Sequence, residues 1–230
     1  MNPKAGNKRK HFDSPSFPLR RAICVFINCP FDVDFEDSFY AIAFGIVCCG
    51  FVPRCAFESR RDADPRMERI VRAIKGSKYS IHDLSRCRGD GDENLARFNM
   101  PLELGMAMVE RFSTSVDARR HDRLPLVLRG HVYRRFVSDL SGYDPAGHDG
   151  NPESVVAAVM QWLATRPDAE HCPAPQEVVA ALPGFQAARR QLRQKWLGNE
   201  PWMDLVELAI AVGSERGLIP AGISGPSAPP

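Results

Sequence analysis

No stretch of this chain stays apolar for the roughly 20 residues that a membrane-spanning helix requires, and its basic N-terminus lacks the apolar core of a signal peptide. Neither sign of charge is in excess. Thirty Lys and Arg stand against 28 Asp and Glu, leaving a formal net charge of +2. That balance gives no strong attraction to nucleic acid or to an anionic membrane. The seven cysteines are an odd number, and no two have the two-residue spacing of a zinc or redox motif. Most sit in apolar runs, where a free cysteine behaves as a small hydrophobe. Reduced, structural cysteines are expected, with Cys87 the exception to watch. A Gly-rich dinucleotide fingerprint and a phosphate loop are missing, as is a Gly-x-Ser-x-Gly elbow. His148-Asp149 and His171-Cys172 lack partners at metal-ligand spacing. The expectation is a cytoplasmic protein with no metal and no resident cofactor.

What is present is an ordinary globular composition, 44% hydrophobic over 230 residues. That suffices for one substantial domain with an appendage. Residues 1–20 read as a flexible tail, basic and then rich in Pro and Ser. Ala22–Cys29 reads as a buried strand. From Phe35 the positions Phe35, Phe39, Ile42 and Ile46 mark one face of a helix that Gly50 stops. Phe51–Phe57 is a second strand, placed at a sheet edge beside the first by Pro53. Asp64-Pro65 introduces a helix with Met67, Ile70, Val71 and Ile74 inward. Lys78–Ser85 is the third strand. Pro101–Arg111 is the third helix, with Leu102, Met106 and Val109 as its buried face. Leu124–Leu128 is a fourth strand, Tyr133–Leu140 a short helix, and residues 152–165 a helix. A fifth strand is the weak point, because Ser138–Tyr143 contains little that demands one.

The alternation predicts an α/β fold, a three-layer flavodoxin-like sandwich over residues 21–165 with a mostly parallel five-stranded sheet. A helical extension follows over 166–217, packed on the parent domain, and a disordered tail over 218–230.

The chain is organised around Tyr79–Gly105. A strand ends in Asp83-Leu84-Ser85, a polar loop follows, and Asn99-Met100-Pro101-Leu102-Glu103-Leu104-Gly105 opens a helix. Ligands of open α/β sheets sit beyond the carboxyl ends of the strands, beside helix N-termini. Asp83, Ser85, Asn99 and Glu103 are therefore expected to face one crevice. Each has an ordinary explanation too. A glutamate in an opening turn is stabilised by the helix dipole. Asn99 suits an N-cap, Asp83 a turn, and Arg86 and Arg97 solvent. His82, alternating with buried positions, suits a satisfied structural contact.

Asp-Leu-Ser, a loop, then Asn-Met-x-x-Glu-Leu-Gly resembles the pattern of nucleoside 2-deoxyribosyltransferase-like and bacterial TIR-like proteins. Val25-Phe26-Ile27-Asn28-Cys29-Pro30-Phe31 is similar to their first strand and loop. The resemblance spans roughly residues 22–165 and implies cleavage at an anomeric carbon. Glu103 would be the catalytic carboxylate. Asn28, Pro30, Phe31, Asp83, Ser85, Arg86, Asn99 and Met100 would form the binding pocket. It implies a nucleotide or NAD as ligand, NAD being substrate rather than cofactor, N-glycosidase activity, homo-oligomerisation, and a place in bacterial defence or nucleotide signalling. The alternatives are a nucleotide-sensing module without turnover and a TIR-type assembly scaffold.

Overall fold

The computed structural model describes residues 23–30, 32–58, 64–86, 89–90, 95–96, 98–113, 120–130, 133–135 and 137–219. Five strands, β1 (Cys24–Asn28), β2 (Val52–Cys55), β3 (Tyr79–Asp83), β6 (Asp122–Leu128) and β7 (Ala146–His148), form one parallel sheet in the order β2-β1-β3-β6-β7. A separate two-residue pairing joins β4 (Gly89–Asp90) to β5 (Leu95–Ala96) within the polar loop. The helices are α1 (Glu36–Cys48), α2 (Arg66–Lys75), α3 (Asn99–Glu110), α4 (Pro152–Leu163), α5 (Pro175–Lys195) and α6 (Trp202–Glu215). The chain is an α/β protein with the flavodoxin-like strand order, β2 lies at the edge beside β1, and the order reverses between β1 and β3.

Strand alternation assigns the two faces. Val25 and Ile27 of β1, with Tyr79, Ile81, Leu124 and Leu126, pack against α1 and α4. Phe26 points the other way, into a cluster with Ile70, Ala73 and Ile74 of α2 and Ala107 of α3. α5 and α6 lie over α1 and α4 and extend the first core. Phe44 of α1 stacks on Phe185 at 4.5 Å between ring centroids, and Trp202 donates its indole N–H to the Pro53 carbonyl.

That cover corrects the amphipathic reading of α1. Every residue from Ser38 to Cys48 is buried, because the sheet lies below the helix and α4, α5 and α6 surround it. Its closest crossing is at Gly45, where an added Cβ would stand 2.5 Å from Val156 Cγ2 and 3.3 Å from Met160 Cγ. Gly45→Ala is expected to destabilise the protein. Overpacking costs about 1–3 kcal/mol, against a helix-propensity gain of about 1 kcal/mol. The shift in urea midpoint at constant m-value checks it.

Three further expectations are corrected. The fifth strand is Ala146–His148, beyond the Ser138–Tyr143 stretch considered for it, and residues 138–142 form a 3₁₀ turn. α3 begins at Asn99 rather than Pro101 and is rotated: Met100, Glu103, Leu104 and Ala107 are inward, while Leu102 and Val109 are exposed. Finally, Cys49 and Cys172 are joined by a disulfide between the C-cap of α1 and the segment before α5. Cys24, Cys29, Cys48 and Cys55 are not disulfide-bonded, and Cys87 lies outside the described residues.

Candidate functional site

The first turns of α3 meet the carboxyl ends of β1 and β3, and a buried hydrogen-bonded chain fixes that meeting. Asn28 Nδ2 donates to the Met100 carbonyl at 3.1 Å and to His82 Nδ1 at 3.0 Å. His82 Nδ1 is thus an acceptor and Nε2 carries the proton. Nε2 donates to Ser80 Oγ at 2.8 Å, and the Ser80 hydroxyl donates to His121 Nε2 at 2.7 Å. His121 Nδ1 then donates to the Ser77 carbonyl at 2.8 Å. All bonds run in one direction and both imidazoles are neutral. Burial holds their pKa values down, that of His82 to about 3, with further lowering from His121 and Arg123.

A histidine whose folded pKa lies below its unfolded value loses stability to acid, because only the unfolded chain takes up the proton. The loss begins near the unfolded pKa of about 6.5 and amounts to about 1.4 kcal/mol per pH unit for His82, down towards pH 3. His82→Gln keeps an acceptor for Asn28 and a donor for Ser80. It is expected to flatten the acid limb in urea titrations between about pH 6 and pH 4.

A second polar set occupies the ends of β3 and β7. The Gly150 amide donates to His148 Nδ1 at 3.1 Å, so the ring proton is on Nε2. That nitrogen lies 2.9 Å from Ser85 Oγ and 3.0 Å from Asp83 Oδ2. The hydrogen bond belongs to Ser85, since Asp83 Oδ2 has the proximity but no aligned donor. Asp83 Oδ1 accepts from the Ser85 amide at 2.8 Å. Ser, His and Asp are present here without the geometry of a nucleophilic triad, because both side chains meet the same imidazole nitrogen.

Glu103 stands apart from both sets. It is 3% exposed, and its nearest cation among the described residues is Arg66, whose Nη2 is 4.0 Å from Oε1. Burial raises its pKa to about 7, with Arg66 pulling the other way. The pKa of the fully buried Cys29 thiol, just past β1, is raised by burial and then by Asp83, Cys55 and Glu103.

Of the residues singled out in the sequence, Asn28, Asp83, Ser85, Met100 and Glu103 are buried together at this end of the sheet. Asn99 is exposed in the first turn and makes no cap; the capping position is Phe98, with no side-chain bond. Arg86 is held between Asp32 at 3.5 Å and Asp34 at 3.7 Å. Pro30 lines a cavity of about 310 Å³ with Phe39, Tyr40, Phe57, Arg193 and Glu200. Phe31 and Arg97 lie outside the described residues.

Sequence reasoning missed His121, Ser80 and His148, whose partners lie 41 and 63 residues away. It also missed the extension's part in the cavity. There the Tyr40 hydroxyl donates to Glu200 Oε1 at 3.2 Å, and Arg193 pairs with Glu36. Burial and Glu200 push the Tyr40 pKa up to about 12. Among the described residues no cluster of His, Cys, Asp and Glu is arranged to hold a metal ion, and no helix is long and apolar enough to cross a membrane. No protein-family model matches the chain, and neither the curated proteins nor the solved structures contain a match to it.

Proposed function

We propose that the protein cleaves the N-glycosidic bond of a nucleotide, with NAD the favoured substrate and Glu103 the carboxylate at the anomeric carbon. The observation that carries the reading is Glu103 itself: a buried carboxylate at the carboxyl edge of the sheet, with no cation nearer than 4.0 Å among the described residues and a pKa near 7. In its ionised form such a group costs the fold stability, whereas glycosidic cleavage needs it. As the C–N bond breaks, its electron pair leaves with the base and positive charge develops on the sugar. An adjacent carboxylate stabilises that charge or captures the carbon covalently. A pyridinium base departs as neutral pyridine and needs no proton, so one carboxylate suffices. A cationic substrate would also draw the Glu103 pKa downward and ionise it on binding.

A non-catalytic role, as nucleotide sensor or assembly scaffold, is favoured by a different observation. Asn28, Asp83 and Ser85 are engaged within the protein, so they are not presented to a sugar. The test is incubation of concentrated protein with NAD and a panel of nucleosides and nucleotides, with products followed by mass spectrometry and Glu103→Gln run alongside. Free base released by the wild type alone supports the enzyme. Retained ligand without product supports the sensor. Equal turnover by both proteins removes Glu103 from the chemistry.

A further inference from the structure

The rotation of α3 leaves an apolar face without cover among the described residues. Phe98 is 68% exposed, Leu102 50%, Val109 70% and Phe112 79%. With Gly105 they fall at intervals of four, three, four and three residues, the spacing of a coiled-coil seam. Phe98 already has helical backbone angles, and the Phe112 amide still bonds the Val109 carbonyl at 2.9 Å, so the seam runs the whole length of the helix. No added Cβ at Gly105 would meet anything within 4 Å, so the middle of the seam is open. From 98 to 109 the only charged residue is Glu103, and it points inward.

The seam reads the same from either end. About Gly105 lie Leu102 and Val109, and beyond them Phe98 and Phe112. A two-fold axis through Gly105 would bring Phe98 against Phe112 of a second copy, Leu102 against Val109, and glycine against glycine, where two helices approach most closely. An isologous contact demands such self-complementarity, which an unrelated partner does not. The exposed fractions amount to roughly 500 Å² per copy, taking ordinary side-chain areas. Two copies bury roughly 1,000 Å², the lower bound of a specific interface.

We propose that α3 is the seam of an antiparallel, two-fold dimer of this chain, centred on Gly105. The proposal stands apart from the N-glycosidic reading, since it uses the outer face of the helix.

The test is sedimentation of the full chain over a range of concentrations. The expected result is a reversible dimer whose dissociation constant rises at least about tenfold in Val109→Glu/Phe112→Glu. Leu197→Glu, at an equally exposed apolar residue elsewhere, should leave it unchanged. Unaltered circular dichroism melts separate this effect from misfolding. Gly105→Cys under mild oxidation should give a covalent dimer on a non-reducing gel, as a residue on the axis must. A wild type that stays monomeric, or a double variant no weaker than Leu197→Glu, overturns the proposal. A dimer lost in the double variant but not cross-linked through residue 105 overturns the antiparallel register.

Discussion

Glu103→Gln is expected to make the protein more stable above about pH 8, by about 3 kcal/mol, and, under the proposed function, to lower N-glycosidic turnover by about 10²–10³-fold. The stability half follows from the raised pKa. A carboxyl whose folded pKa exceeds its unfolded value contributes fully below the unfolded pKa, about 4.5, and the contribution is lost as pH rises through about 7. Beyond that the folded state carries a buried carboxylate with Arg66 4.0 Å away as its nearest cation among the described residues. Glutamine keeps the shape and removes the charge. The activity half follows because an amide can neither stabilise nor capture an oxocarbenium carbon as a carboxylate does. Urea unfolding at about pH 8.5 and at pH 4 separates the two states of the group, since the variant's advantage should vanish at the lower pH. A variant destabilised equally at both would mean that Glu103 is a structural contact.

The same substitution sharpens the acid limb. Between about pH 4.5 and 6.5, protonation of Glu103 in the folded state opposes the acid loss from neutral His82 and His121. The gain from the carboxyl offsets the loss from His82, about 1.4 kcal/mol per pH unit each, so the wild-type limb is shallower than the imidazoles alone would make it. Removing the carboxyl should steepen it.

The relation between Glu103 and its helix shows where sequence reading succeeds and where it stops. The Val-Phe-Ile run of β1, the edge position of Pro53 and the helix after Asp64-Pro65 are local signals, and local physics decides them. α3 carries two apolar stripes, one through Met100, Leu104 and Ala107 and one through Leu102 and Val109, and propensity cannot choose between them. The sheet chooses. Ala107 lets the helix lie close to Phe26 and Ala56, and Asn28 bonds the Met100 carbonyl. That choice turns Glu103 inward and Leu102 outward. β7 was illegible because three residues, Ala-Gly-His, show no alternation. The polar chain was illegible beyond His82, because its members come from separate strands and loops. Asp83 and Ser85 were legible as strand-end polar residues, but their partner His148 was not, since only the parallel pairing of β6 with β7 brings it there.

Cys172→Ser is expected to cost about 3–5 kcal/mol of stability in oxidised protein and almost nothing in the presence of a reductant. Cys49 and Cys172 are separated by 123 residues, and the loop they close holds four of the five sheet strands between β2 and β7 together with α2, α3 and α4. Chain entropy lost by the unfolded state grows with the logarithm of that length, so this bridge lies near the top of the range for a single disulfide. Cys172 is the better position to change. It is partly exposed, whereas a serine hydroxyl at the buried Cys49 would add its own desolvation cost. Peptide mapping of the non-reduced wild type should find residues 49 and 172 in one cross-linked species. Two free thiols at those positions in air-oxidised protein would sink the prediction. A reducing compartment keeps such a bridge open, so there the end of α1 and the segment before α5 depend on packing alone. The wild type under reductant should therefore melt with the Cys172→Ser variant rather than with its own oxidised form.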